Sequence, residues 1–177
     1  MKIQYFIIFF SLFIQTSFAT TNYQFFLSPY FYQNPDSFQI NGLVTARYNT
    51  GNLFDAAAKL YSNENGHVLK KCNAGEKSNL IYYLYPRSFY NPLMTTFYTD
   101  LEVRVFEAPG KLKKNLSIKH QTLKPLFENP DSDIINHYKN LLNKLIMATK
   151  IDDNNFMRMI LKIPCHSNPT SFIMVDW

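Results

Sequence analysis

The stretch TDLEVRVFEAPGKLKKNLSIKH, residues 99–120, decides the fold. Apolar residues alternate with charged ones up to Phe106, and the alternation resumes after the sequence Ala-Pro-Gly-Lys. A period of two residues is typical of strands with one buried face. The stretch therefore predicts an antiparallel hairpin.

The register of this hairpin follows from burying the apolar residues of both strands on one face. With Ala108 opposite Lys111, the inward pairs are Val103 with Leu116 and Leu101 with Ile118, and Asp100 meets Lys119 outside. Lys114 falls on the inward face and is expected to mark its edge. Because Pro-Gly favours a type II turn whereas tight hairpins prefer primed turns, a loop two residues longer is the alternative.

The remaining chain predicts further strands and two helices. Aromatic and β-branched runs separated by turn-forming residues predict strands, and apolar residues at helical spacing behind capping residues predict helices. The strands are expected at Gln24 to Tyr32, Ser37 to Tyr48, Val68 to Cys72, Leu80 to Tyr85, Phe156 to Ile163 and Phe172 to Val175. The helices are expected from Asn52 to Asn65-Gly66 and from a cap at Asp131 or Ser132, after Pro130, to about Thr149.

This order of elements predicts an α+β fold, a single domain with an antiparallel β-sheet and two helices packed against one face. The run Leu80 to Tyr85 is apolar or aromatic throughout, so this strand is expected to be covered on both faces. No internal repeat or linker divides the chain.

Residues 1–19 have the pattern of a signal peptide. Lys2 precedes an apolar run, and Ser17-Phe18-Ala19 offers small residues at the −3 and −1 positions of a cleavage site. The run is too short to span a membrane, and no transmembrane segment is predicted. We therefore expect residues 20–177 to form an exported globular domain, periplasmic or secreted.

Cys72 and Cys165 are the only cysteines of the chain. In an oxidising compartment two such thiols usually form a disulfide, which we predict here. The alternative is a metal site built from both cysteines with His166 and His120. That site is disfavoured because Cys165 and His166 are adjacent and would point to opposite faces of a strand.

Charge and motifs limit the classes of function. The formal charge of +5 falls to +4 without Lys2, which is too modest to indicate a nucleic-acid binder. Catalytic and phosphate-binding motifs such as GxSxG, HExxH and the P-loop are absent from the sequence. No catalytic residue, metal or cofactor is therefore predicted, and the scattered histidines, His67, His120, His137 and His166, are interpreted as structural or solvent-facing.

The segment Tyr82 to Tyr98 is the candidate binding surface. Pro86 and Pro92 bracket Arg87, Phe89 and Tyr90, and an arginine beside aromatic residues is typical of protein-binding hot spots. We predict that these three residues lie on a loop and contact a protein partner. Alternatively, the aromatics fold back on the core; their faces could also stack on sugar rings.

A lysine cluster lies on or near the hairpin: Lys111, Lys113, Lys114, Lys119 and Lys124. Lysines along a sheet edge commonly prevent edge-to-edge aggregation. The alternative is an anionic partner such as membrane lipid or polysaccharide.

These features favour a non-enzymatic binding or envelope-assembly accessory protein, exported by a bacterium. The alternative is a secreted effector or small hydrolase whose site is not a linear motif. A concave pocket joining a histidine to a carboxylate would favour the enzyme, and an exposed aromatic patch would favour the binding protein.

Overall fold

The computed structural model describes residues 23–39, 45–66, 68–107, 111–123, 129–149 and 163–165, so the predicted signal peptide lies outside the described residues. These ranges form a mixed α and β architecture. In chain order the elements are β1 (Tyr23–Leu27), α1 (Tyr30–Gln33), β2 (Asp36–Gln39), β3 (Thr45–Tyr48), α2 (Thr50–Asn65), β4 (Leu69–Lys71), β5 (Lys77–Ser78), β6 (Leu80–Asn91), β7 (Thr96–Glu107), β8 (Lys111–Leu123), α3 (Pro130–Thr149) and β9 (Ile163–Pro164).

The main sheet has five strands in the order β4-β1-β6-β7-β8. Strands β6, β7 and β8 are antiparallel, whereas β1 is parallel to both of its neighbours. The prediction of a purely antiparallel sheet is therefore wrong, and the sheet is mixed. Helix α2 lies in the connection from β1 to β4, which gives the crossover that parallel neighbours require.

The principal core joins one side of the sheet to side chains of α2 and α3. Phe54 of α2 packs between two rings, with its centroid 5.5 Å from that of Phe25 and 5.2 Å from that of Tyr138. The Tyr82 hydroxyl lies 2.7 Å from Thr149 Oγ1 at the end of α3. Aromatic rings thus connect α2 and α3 to the sheet within this core.

A second apolar cluster lies on the opposite side of β6, where Ile81, Tyr83, Phe106 and Ile163 pack together. Alternate residues of β6 therefore enter different clusters, and both are buried. This confirms the prediction that the run from Leu80 is covered on both faces. The predicted strands at Phe156 to Ile163 and Phe172 to Val175 lie outside the described residues except for Ile163, which begins β9.

The hairpin register is confirmed over most of its length. Val103 pairs with Leu116, Leu101 with Ile118 and Asp100 with Lys119. A bulge then shifts the register between Val105 and Phe106, so that Lys111 pairs with Glu107. The predicted Ala108–Lys111 pair is therefore wrong. The extra residue of the bulge lies on β8, and Lys114, opposite Val105, is exposed and marks the edge of the buried area.

The N-cap of helix α2 lies three residues before Asn52, the cap that the sequence predicted. Asn49 is the N-cap, and its side-chain oxygen accepts the backbone N–H of Asn52 at 2.9 Å. The predicted stop is confirmed, because Gly66 closes the helix with φ of 66°. Asn52 itself is the third residue of the helix.

Helix α3 spans Pro130–Thr149, as its apolar spacing predicted. The side-chain oxygen of Asn129 accepts the backbone N–H of Ser132 at 3.2 Å. The predicted cap at Asp131 or Ser132 is therefore wrong by two or three residues. The side-chain amide of Asn129, which precedes Pro130, bonds to the first turn of the helix instead.

The two strands predicted nearest the amino terminus are each interrupted. After β1 the chain forms the short helix α1, which follows Pro29, so the strand predicted to Tyr32 ends at Leu27. The region predicted as one strand from Ser37 to Tyr48 contains the antiparallel pair β2 and β3. The sequence Asn41-Gly42 between them is a pair that favours turns.

Candidate functional site

Arg87, Phe89 and Tyr90 lie within strand β6. The sequence analysis had predicted a loop for these residues, and that prediction is wrong. Ladder bonds to β7 hold the whole of β6, despite Pro86. Because side chains alternate along a strand, Arg87 and Phe89 share the outward side of the sheet while Tyr90 points to the core. The structure thus separates the three predicted binding residues onto two faces.

Tyr90 is part of the core, with 7% of its surface exposed. Its ring centroid is 5.8 Å from that of Phe38, which in turn lies 5.7 Å from that of Phe97. For this residue the alternative interpretation, that the aromatics fold back on the core, describes the observed packing. Tyr90 supports the surface from beneath.

Phe89 and its neighbours at the end of the hairpin form an exposed apolar surface. Phe89 is 57% exposed and stacks on Tyr98 of β7. In the turn between β6 and β7, Leu93 is 95% exposed and Met94 is 56% exposed. We call these four residues, Phe89, Leu93, Met94 and Tyr98, the hairpin-tip surface.

Hydrogen bonds hold the tip in one conformation. The side-chain oxygen of Asn91 accepts the backbone N–H groups of Leu93 and Met94, at 3.1 and 3.3 Å. Thr95 has φ of 45°, a left-handed conformation that is costly for a β-branched residue. Its neighbour Thr96 donates its hydroxyl to the Met94 carbonyl at 2.8 Å. The exposed Leu93 and Met94 therefore project from a fixed turn.

Charged residues border the hairpin-tip surface on the outward side of the sheet. Arg87 forms an ion pair with Glu102 across to β7, with Nη2 3.3 Å from Oε1. Two residues further along β7, the guanidinium of Arg104 lies 5.7 Å from the ring centroid of Tyr85. These contacts are largely solvent-exposed, so they orient the side chains more than they stabilise the fold.

A groove of about 520 Å³ lies beside these charges on the outward side of the sheet. Its lining residues come from the three antiparallel strands β6, β7 and β8: Tyr85, Glu102, Val103, Arg104, Asn115, Leu116 and Ser117. The ring of Tyr85 is half-buried, whereas Arg104 and Asn115 are exposed. The groove therefore combines one aromatic surface with several hydrogen-bonding groups.

A second groove, of about 440 Å³, runs between α2 and the edge strand β4. Lys59, Lys70 and Lys71 are among its lining residues, but Lys71 also faces Asp55 at 3.8 Å. The Ser62 hydroxyl lies 3.1 Å from the backbone nitrogen of Leu69 and 3.3 Å from its carbonyl oxygen. Ser62 thus engages both backbone groups of Leu69, so a further strand could not pair with this residue of the edge.

The two described histidines lie together where α3 packs on β8. Their ring centroids are 4.8 Å apart, and His137 is buried whereas His120 is half-buried. Burial, together with the positive charge of Lys144, lowers the pKa of His120 below its usual value. Neither histidine lines either of the two grooves. His67 and His166 lie outside the described residues.

The predicted disulfide is present and joins Cys72 to Cys165, with Cα atoms 5.7 Å apart. Backbone bonds fix both ends, since the Cys72 N–H donates to the Phe25 carbonyl and the Cys165 N–H to the Glu76 carbonyl. The alternative metal site therefore loses both of its thiol ligands. Among the residues described, no three side chains of histidine, cysteine, aspartate or glutamate are arranged to hold a metal ion.

The sequence analysis included Tyr85, Leu93, Met94 and Tyr98 in the candidate segment Tyr82 to Tyr98 without singling them out. It did not identify Arg104 and Asn115 as groove residues. Arg104 belongs to the period-two pattern of residues 99–120, and extending that pattern by one residue would have placed Tyr98 on the same outward face. Nothing in the sequence pairs Asn115 with Arg104 except the hairpin register itself.

None of the described helices is long and apolar enough to cross a membrane.

No protein-family model matches the chain, and no curated protein matches it. A solved structure described as that of an uncharacterized protein is similar at 10% sequence identity. The similarity covers 73% of this chain and 90% of that one, with a TM-score of 0.45.

Proposed function

We propose that this chain is an exported, non-enzymatic binding protein, an accessory in a bacterial envelope or outside the cell, and that the hairpin-tip surface with Arg87 contacts a protein partner. The observation that carries the proposal is the exposure of Phe89, Leu93 and Met94 on a turn fixed by Asn91. Apolar side chains so exposed and so close together are typical of interaction sites. The disulfide supports export, because such bonds persist in oxidising compartments.

The rigidity of the tip favours binding. An ordered loop loses little conformational entropy when a partner docks, so more of the contact energy remains as affinity. Phe89 is held by its stack on Tyr98. The turn is held by two backbone N–H groups that donate to the Asn91 side chain and by the Thr96 hydroxyl, which donates to the Met94 carbonyl. The surface is therefore organised before the partner arrives.

The charges next to the tip suggest the chemistry of the partner. Arg87 is the ionic group nearest to Phe89 along β6, and its contact with Glu102 is largely exposed. A partner carboxylate could replace Glu102 and accept two parallel hydrogen bonds from this guanidinium. We expect the partner to present an apolar recess for Phe89 and Leu93, bordered by an acidic residue.

The alternative, a secreted effector or small hydrolase, has less support among the described residues. Neither groove brings a histidine to a carboxylate, which was the arrangement expected of such an enzyme. The two described histidines instead contact each other, Phe97 and Asn140. The exposed aromatic patch was the feature expected of the binding protein.

Two methionine variants test the proposal. Met94→Ser removes an exposed apolar group from the tip, and Met147→Ser removes one that is 71% exposed near the end of α3. Met147 lies near Thr149, which contacts Tyr82 near the start of β6, far from the tip. Both variants should unfold like the parent protein, because both side chains are exposed.

The readout is affinity capture from an envelope fraction of the source organism, with quantitative mass spectrometry. We expect a protein that the parent and Met147→Ser capture equally and that Met94→Ser and Phe89→Ala recover at least about tenfold less, the loss that follows from roughly 1.4 kcal/mol. Equal recovery by all four proteins would contradict the proposal. So would the absence of any specifically captured protein.

A further inference from the structure

The outward side of the sheet is a regular grid of side chains, because paired residues of neighbouring strands project together. One row contains Tyr85, Glu102 and Ser117, and the next contains Tyr83, Arg104 and Asn115. Towards the tip a third row contains Arg87, Asp100 and Lys119. The groove of about 520 Å³ lies over the first two rows.

Flat groups surround this groove. The guanidinium of Arg104 lies over the aromatic ring of Tyr85, 5.7 Å from its centroid. The Glu102 carboxylate and the Asn115 amide are planar as well and border the same space. A sugar ring has an apolar face of C–H groups, which packs on an aromatic ring, and hydroxyls at its edge, which both donate and accept hydrogen bonds.

Neighbouring contacts hold the polar groups in place. Arg87 pairs with Glu102 at 3.3 Å, and the Ser117 hydroxyl donates to Asp100 at 3.3 Å. Each of these groups keeps further hydrogen-bonding capacity, because a carboxylate accepts several bonds and a guanidinium donates five. A hydroxyl-rich ligand could therefore bind without breaking the existing pairs.

The charge of this surface opposes a strongly anionic ligand. The three rows contain three cations, Arg87, Arg104 and Lys119, and two anions, Asp100 and Glu102. Asp100 lies between Arg87 and Lys119 across the strands, and Glu102 contacts Arg87, so the grid is close to neutral. Nucleic acid, anionic lipid or a sulfated polysaccharide would meet both carboxylates.

We propose that the groove lined by Tyr85, Glu102, Arg104, Asn115 and Ser117 binds a neutral saccharide. The sugar face packs on Tyr85, and its hydroxyls bind the carboxylate, guanidinium and amide groups along the rim. The site is separate from the protein-binding tip and does not depend on it.

The test has two stages that use the mature, disulfide-bonded protein. An array of neutral glycans, with heparin as an anionic comparison, identifies the ligands that the protein retains. The best neutral glycan is then titrated into isotope-labelled protein, and backbone amide shifts are followed by NMR. We expect saturable shifts at Tyr85, Arg104 and Asn115.

Three variants make the test specific. Asn115→Ala removes an exposed amide, and Tyr85→Ala removes the half-buried ring. Each should weaken binding at least about tenfold, which corresponds to roughly 1.4 kcal/mol. Met147→Ser, on α3 and outside both proposed surfaces, should leave the affinity unchanged. Asn115→Ala keeps the test valid if Tyr85→Ala fails to fold, because Asn115 is exposed.

Three results would overturn the proposal. In the first, no neutral glycan on the array is retained. In the second, only heparin binds, which would show that the lysine side chains bind an anionic ligand and that the groove binds no neutral sugar. In the third, a glycan binds, but either the amide shifts that it causes lie outside the groove, or both Tyr85→Ala and Asn115→Ala bind it as tightly as the parent protein does.

Discussion

The ring of Phe89 stacks on the ring of Tyr98 across strands β6 and β7, with centroids 4.6 Å apart and planes inclined by 7°. The contact joins two residues that face solvent, so it contributes little to the core. Its consequence is geometric, since it holds an exposed phenyl ring flat against the sheet. The proposed binding surface begins at this pair.

The first prediction separates Phe89 from its neighbour Tyr90. Phe89→Ala should lower the free energy of unfolding by less than about 1 kcal/mol, the range of one exposed cross-strand pair. Tyr90→Ala should lower it by about 3 kcal/mol or more, because the ring is buried against Phe38. Urea denaturation of both variants gives the two values. Equal losses would show that the two residues do not lie on different faces.

The second prediction concerns the disulfide. The mature protein should have, under non-reducing conditions, a mass lower by two hydrogen atoms than the fully reduced chain. Cys72→Ala combined with Cys165→Ala should lower the free energy of unfolding by up to about 4 to 5 kcal/mol, since the bond closes a span of 93 residues. Free thiols in the native protein would refute the bond.

The third prediction is a steep loss of stability in alkali. Burial raises the pKa of Tyr138 to about 12 and also raises that of Tyr82. In the unfolded chain these groups release their protons near pH 10. The unfolded state then binds fewer protons than the native state, so stability is fully present below about pH 10 and falls above it.

Each such tyrosine should contribute a slope of about 1.4 kcal/mol per pH unit between its unfolded and folded pKa values. Chemical denaturation measured at intervals from about pH 9 to 12 gives the slope. Tyr138→Phe removes one titrating hydroxyl and should make the slope shallower by that amount. A slope that is identical in Tyr138→Phe and the parent would contradict the assignment.

The sequence predicted the part of the fold that depends on local patterns. The strict alternation of residues 99–120 gave the pairs Val103 with Leu116 and Asp100 with Lys119, because only one parity buries both apolar sets. The spacing from Ile134 to Ile146 likewise predicted α3. Gly66 ended α2 where expected, since glycine adopts the left-handed conformation at little cost.

The sequence did not predict features that depend on distant parts of the chain. The parallel pairing of β1 with β6 joins strands more than fifty residues apart and has no local signal. Pro86 and Pro92 indicated a loop, but the ladder between β6 and β7 holds Pro86 within a strand. The distinction between exposed Phe89 and buried Tyr90 followed only once that strand was known, because strand parity decides it.

The fourth prediction concerns the lysines of β8, at one edge of the main sheet. Lys114 and Lys119 are exposed, and charged residues at an edge oppose pairing with another copy. Lys114→Val combined with Lys119→Val should leave the free energy of unfolding nearly unchanged but increase aggregation, measured by light scattering. Lys70→Val on β4 is the control, because Ser62 already engages the backbone of Leu69 at that edge. If the double variant aggregates no more than the control, the lysines do not protect the edge.

The most direct test of the central claim is photocrosslinking at the hairpin tip in cells of the source organism. A photoreactive residue at Leu93 should crosslink to one discrete protein, and Phe89→Ala in the same chain should abolish the product. The same photoreactive residue at Met147, also exposed, should give no such product. Identical products from positions 93 and 147, or no product at Leu93, would contradict the claim that the hairpin tip binds a protein partner.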